Sequence, residues 1–208
     1  MLRILGRPTS INVRKVLWLC AELDLPCALE PWGGDDHHRT DDPAFLALNP
    51  NALVPVIRDG DFVLWESNTI CRYLAAQAGR GDLLPSEPRG RARVEQWMDW
   101  QATELNNAWR HAFMALVRRS AAHADPAAIA ASVAAWNRHM AILDAQLART
   151  EAYAAGSDFT LADIVLGLST QRWLMTPMER PHLRAVEAYH ERLSERPGFR
   201  LHGRNGMP

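Results

Sequence analysis

The sequence is almost without lysine. Lys15 is the only one among 23 basic residues in a chain of 208, and the rest are arginine. The bias reads as base composition rather than chemistry, because 24 acidic residues bring the formal net charge to −1. Neither half carries the basic stripe and high pI of a nucleic-acid surface, so no nucleic-acid partner is expected. Cysteine is also scarce. Cys20, Cys27 and Cys71 are odd in number and lack CxxC spacing, which argues against a disulfide framework and a zinc knuckle and fits a reducing cytoplasm. No run of 18 apolar residues occurs, and the N-terminal MLRILGRPTS has no apolar h-region, so neither a membrane span nor secretion is expected.

What is present is apolar material in two different rhythms. At 48% apolar residues the chain has ample substance for a packed core. LRIL (2–5) reads as a strand, GRPTSIN as a turn, VRKVLWLCAEL (13–23) as a helix and LPCALE (25–30) as a second strand, a βαβ unit expected to be parallel and right-handed. Asp42-Pro43 marks the start of a short helix running through Leu48. VPVI and FVLW flank Asp59-Gly60 as two antiparallel strands, and ESNTICRYLAAQA (66–78) reads as a helix with Ile70, Tyr73 and Leu74 on one face.

At GRGDLLPSEPRG (79–90) the composition shifts to Gly and Pro, and no strand-like pattern follows. The expected division is a βαβαββα domain over 1–80, a linker over 81–90 and an all-helical domain over 91–208. Val94, Trp97, Met98, Leu105, Trp109, Ala112, Phe113 and Leu116 trace one face of a long helix. A second helix runs from Ile129 to Leu147, and two more are expected at 161–174 and 182–194. FTLADI (159–164) is a helix start in which Thr160 caps, Asp163 reaches back and Phe159 staples against Ile164, so Asp163 reads as a structural cap rather than a catalytic acid.

This order of elements, with NPNALVPV (49–56), LWESNTICRYLA (64–75) and FTLAD (159–163), resembles the cytosolic glutathione transferase superfamily over essentially the whole chain. SINVRKV (10–16) looks like its serine-type theta and phi branches. The resemblance implies an α/β plus all-α architecture: an N-terminal thioredoxin-like domain that binds glutathione, followed by a helical bundle. It further implies a cytoplasmic homodimer that acts in detoxification and transfers glutathione to a small hydrophobic electrophile. Peroxidase, isomerase or dehalogenase chemistry and a non-catalytic binding module are the alternatives. Glutathione is the co-substrate, and no metal and no membrane are expected.

The residues carry this reading physically. Pro55 cannot donate to a ladder, so it is either an ordinary edge proline or a cis bond that frees the Val54 amide and carbonyl to pair with a peptide ligand. Glu66 and Ser67 stand at a helix start, either as a plain cap or as a grip on an amino-acid head group, carboxylate on Ser67 and ammonium on Glu66. Ser10 holds the position at which the serine-type relatives carry the activating hydroxyl, with Thr9 its neighbouring rival. Bringing a thiol from about 8.5 to about 6.5 requires roughly 2.7 kcal/mol, and one hydrogen bond to a charged acceptor supplies about 1.5–3 kcal/mol. Asn12 either orients the sulfur or the serine, or caps a helix beginning at Val13. The only tyrosines, Tyr73, Tyr153 and Tyr189, lie far from the first strand, and Cys20 and Cys27 fit the core. His37, His38 and Arg39 are candidates for the glycine carboxylate of glutathione, and Trp109, Arg110 and Phe113 for the electrophile pocket.

Overall fold

In the computed structural model of the protein, which describes residues 1–34 and 38–208, β1 (Leu2–Gly6) and β2 (Cys27–Pro31) lie parallel, with Leu2 opposite Cys27. The crossover between them is α1 (Ile11–Glu22). After the short α2 (Pro43–Leu46), β3 (Val56–Asp59) and β4 (Phe62–Trp65) form an antiparallel hairpin about Gly60, whose φ of 60° suits glycine in a tight turn. The sheet order is β2-β1-β3-β4, and α3 (Ser67–Gln77) completes the expected βαβαββα sequence.

The period-2 rhythm of the strands sorts their side chains onto two faces. Ile4 and Ile57 stand opposite each other and enter the large core together with residues of α1 and α3. Their neighbours Leu5 and Val56 form a smaller cluster around Phe45 of α2. Several expected boundaries move: α1 begins at Ile11 rather than Val13, so Asn12 lies inside its first turn and Ser10 is the N-cap, β2 begins at Cys27 rather than Leu25, α2 ends at Leu46 rather than Leu48, and β3 begins after Pro55.

The expected long helix is interrupted. α4 (Pro88–Trp100) passes into a π-helical segment (Gln101–Leu105) before α5 (Asn106–Leu116) resumes. The apolar face survives, with Val94, Met98, Leu105, Ala112 and Phe113 all buried. A π turn inserts one residue into that stripe, which periodicity cannot distinguish from slack. α6 (Pro126–Thr150), α7 (Leu161–Met175) and α8 (Arg184–Ser194) stand where the spacing put them. α9 (Pro197–His202) was not foreseen: six residues are too few to show a period, and it is held by Phe199 packing on Trp18 at 4.9 Å.

α7 is buried from Leu161 through Trp173 and forms the spine of the helical part. Asp163 at its start accepts from the Thr160 amide at 2.8 Å, the Ala154 amide at 2.9 Å and the Tyr189 hydroxyl at 2.9 Å. Burial pushes its carboxyl up to about 6 against those bonds. The seam with the sheet is closed by Trp18 of α1, fully buried against Gly167 and Gly198. A Cβ at Gly198 would come within 2.5 Å of the indole. Glu22 accepts from the Trp18 indole at 2.7 Å and pairs with Arg196 at 2.6 Å. No helix among the described residues is long and apolar enough to cross a membrane.

Candidate active site

The turn leaving β1 delivers Ser10. Its amide donates to the Arg7 carbonyl and its carbonyl accepts from the Arg14 amide, both at 3.0 Å, so the backbone is fully used in starting α1. The hydroxyl makes no capping bond, although Ser is a favoured N-cap residue. The side chain is half-buried and borders a cleft, whereas Thr9 is exposed and borders none of the clefts described below.

The Val54-Pro55 peptide is cis. Val54 precedes the first paired residue of β3, and its amide and carbonyl take no backbone hydrogen bond among the described residues. The loop before it is tied by Asn49, whose side-chain amide donates to the Leu53 carbonyl at 2.7 Å and whose oxygen accepts from the Asn51 amide at 3.1 Å. At the far end of the hairpin, Glu66 caps α3 with φ 74° and ψ 110°, a left-handed conformation that costs a non-glycine residue of order 1–3 kcal/mol. Its carboxylate accepts from the Asn68 amide at 2.9 Å, and the strained turn sets Glu66 and Ser67 side by side at the helix N-terminus.

These pieces converge. A cleft of about 250 Å³ is bordered by Asn12, Val54, Pro55, Trp65, Glu66 and Ser67. It presents free backbone groups, a helix N-terminus and one carboxylate, a set that suits an extended peptide with an α-amino-acid head. A second cleft, of about 390 Å³, adjoins it: Ser10 borders this one, and Asn12 and Leu53 border both. The aromatic pair expected on α5, Trp109 and Phe113, lines the second cleft together with Arg110. Ser10, Asn12, Val54, Pro55, Glu66 and Ser67 therefore lie along one continuous surface with Trp109, Arg110 and Phe113.

Comparison with known proteins agrees with this arrangement. Residues 5–86 match the glutathione S-transferase N-terminal domain and residues 106–197 the glutathione S-transferase C-terminal domain. The chain is 40% identical over 205 residues to glutathione S-transferase GstB of Escherichia coli, covering 96% of each. It is 34% identical to glutathione S-transferase 3 of Zea mays, covering 95% of this chain and 91% of that one. The theta class glutathione S-transferase of Xanthomonas axonopodis pv. citri, solved with glutathione bound, superposes with a TM-score of 0.92 at 38% identity, covering 100% of this chain and 99% of that one. The chain belongs to the glutathione S-transferase family.

Within this glutathione S-transferase, several residues lie away from the clefts. Arg39 is engaged by Asp41 at 2.9 and 2.6 Å, and His38 packs its ring on Trp32 at 5.2 Å. Neither borders the two clefts, and His37 lies outside the described residues. Cys20 and Cys71 are buried, and burial raises both thiols, Cys71 to about 12, which suits core residues and not nucleophiles. Tyr73 donates to Asp59 at 2.8 Å and Tyr189 to Asp163. Among the described residues no group of three or more His, Cys, Asp or Glu is placed to hold a metal.

Other site residues were not anticipated. Asn49, Asn51, Leu53 and Trp65 border the first cleft, and Arg7, Arg118, Arg172 and Asn106 border the second. Lys15 is another: it is 1% exposed and donates to Asn68 Oδ1 at 3.1 Å and to Gln101 Oε1 at 2.9 Å. Asn68 is the residue whose amide holds Glu66, and Gln101 opens the π segment and donates to Asn106 at 2.9 Å. One polar chain thus runs from the first cleft, through the lone lysine, to the second.

Proposed function

We propose that the protein conjugates glutathione to a small electrophile, with Ser10 activating the thiol. In this reading the Val54 amide and carbonyl pair with the cysteinyl backbone of glutathione, with Pro55 shaping the edge on which it lies. Ser67 and the first turn of α3 receive the γ-glutamyl carboxylate, and Glu66 receives the ammonium. The sulfur then falls near Ser10, whose hydroxyl donates to it and holds it as thiolate, while Asn12, at the junction of the clefts, orients it. The thiolate attacks the electrophilic carbon in the second cleft, the carbon–sulfur bond forms, and the leaving group departs with its electron pair.

The observation that carries this reading is the convergence of Asn12, Val54, Pro55, Glu66 and Ser67 on one cleft beside an uncommitted serine hydroxyl. The family supports a cytoplasmic homodimer engaged in detoxification, which sedimentation and fractionation test. The chemistry is tested by calorimetry with glutathione and by the ultraviolet absorbance of the bound thiolate. Ser10→Ala is expected to keep glutathione affinity within about threefold, and to lose the thiolate signal and at least tenfold in conjugation rate, the weight of one charge-assisted bond. A thiolate signal that persists in Ser10→Ala removes the serine from this role.

A further inference from the structure

The second cleft has a charge pattern that a neutral electrophile does not explain. Four arginines border it, Arg7, Arg110, Arg118 and Arg172, and among the described residues no aspartate or glutamate does. None of the four forms an ion pair among the described residues. Arg7 gives one guanidinium nitrogen to the Gly33 carbonyl, and Arg110 and Arg118 are exposed at the rim.

Arg172 is different, being 3% exposed on the most buried helix of the protein. Its guanidinium lies over the Phe113 ring at 4.0 Å and the Trp109 ring at 4.6 Å, and its Nε is buried with no hydrogen-bond partner. Burial and the nearby Arg14 and Arg118 lower it to about 9, which leaves it charged at neutral pH. Aromatic faces hold the cation in position but do not neutralise it. A buried cation without an anion is costly, and three further like charges around the same space add repulsion.

We infer that the second cleft takes electrophiles carrying an acid group, a carboxylate or similar organic anion, which docks on Arg172 with Arg110 and Arg118 at the rim while its reactive carbon faces the sulfur at Ser10. The planar guanidinium matches a carboxylate in two-pronged fashion, and an anion there turns unpaired donors into charge-assisted bonds. Trp109 and Phe113 contact the apolar body of the same molecule, so apolar surface and charge serve one ligand. This inference rests on the glutathione reading of the first cleft.

The test uses a matched pair, 4-chloro-3-nitrobenzoate and 4-chloro-3-nitrobenzamide. The sulfur displaces chloride from either, forming the carbon–sulfur bond as the carbon–chlorine bond breaks. Each kcat/KM is divided by the uncatalysed rate with glutathione. The benzoate is expected to be favoured by about tenfold or more, the equivalent of one bond to a charged group. The preference should shrink with added salt. Arg110→Gln and Arg118→Gln, both at exposed positions, and Arg172→Gln should each lower kcat/KM for the benzoate more than for the benzamide and so reduce the preference, Arg172→Gln the most. A preference near one overturns the inference, and so does an equal loss on both substrates, which would mean that the arginines act only on the thiolate.

Calorimetry with the two product conjugates keeps the test independent of turnover: the carboxylate conjugate should bind about tenfold tighter than the carboxamide, and equal affinities sink the proposal. Glutathione itself separates the two readings. If it binds but no acid preference appears, the anion inference alone fails, whereas absence of glutathione binding takes down the first-cleft reading and this one with it.

Discussion

Two buried cations sit near the junction of the sheet and the helices, and they are treated in opposite ways. Lys15 is 1% exposed and is met by two side-chain oxygens, one from α3 and one from the π segment. Arg172 is 3% exposed, rests on aromatic rings, has a buried Nε without a partner, and borders an open cleft. A cation buried against two side-chain oxygens and facing no cleft is part of the scaffold. One left short of partners beside a cavity is a destabilising feature that a ligand can relieve. Function is legible here in what the fold leaves unsatisfied.

Breaking the satisfied region should produce the largest loss. Gln101 accepts from Lys15 and donates to Asn106 and Ser169, at 2.9, 2.9 and 3.0 Å. Gln101→Leu removes all three bonds and leaves the ammonium with one partner, and we expect about 3 kcal/mol of destabilisation in urea unfolding. Lys15→Met comes next, at about 2 kcal/mol, because it strands the oxygens of Asn68 and Gln101 but also removes a charge that was costly to bury. In the double variant the two losses should sum to less than their separate values, since each breaks the same contact.

Lys15 also carries a pH signature. Burial lowers it from 10.5 to about 8, opposed by Glu66 and Cys71 on α3 and reinforced by Arg172 on α7. Between those values the unfolded chain holds a proton that the folded protein has released, so stability should rise with pH across the window, by up to roughly 3 kcal/mol. The measurement is the difference between wild type and Lys15→Met from pH 7 to 10.5, which isolates this group from other alkaline titrations. A difference that stays constant would show that the lysine is not held near 8.

Much of the first cleft was legible because its determinants are local. A proline at the mouth of a hairpin and a Glu-Ser pair at a helix start lie within fifteen residues, and the turn and cap chemistry is written in the residue types. The βαβαββα order followed from the change of period, and its helix limits moved by one or two residues where a cap decided them. The second cleft was only half legible. Trp109 and Phe113 show their spacing, but Arg172 meets them through tertiary contact, and its one sequence signal is a lone basic residue inside a mostly apolar helix. The role of Lys15 is hidden from the sequence for the same reason: the side chains that solvate it come from residues 68 and 101. The π segment left no periodic trace at all.

The same substitution at Arg172 should come out differently in stability. Arg172→Met removes two cation–π contacts, each worth about 0.5–2 kcal/mol, and at the same time a buried charge with no counter-ion, so the net change should stay within about 1 kcal/mol of zero. A loss as large as that of Lys15→Met would mean that Arg172 is scaffold after all, and would erase the contrast between the two cations.

Ser10→Ala should have the smallest effect on folding. The serine amide and carbonyl remain to start α1, and the hydroxyl that is removed caps nothing. A side-chain cap is usually worth about 1 kcal/mol, so a cost below about 0.5 kcal/mol is the signature of a hydroxyl withheld from the helix it begins. Paired with the loss of bound thiolate, that small number would place Ser10 beside Arg172, among groups whose partners come from outside the protein. A cost of 1 kcal/mol or more would instead assign the hydroxyl to the helix and leave the sulfur to another donor.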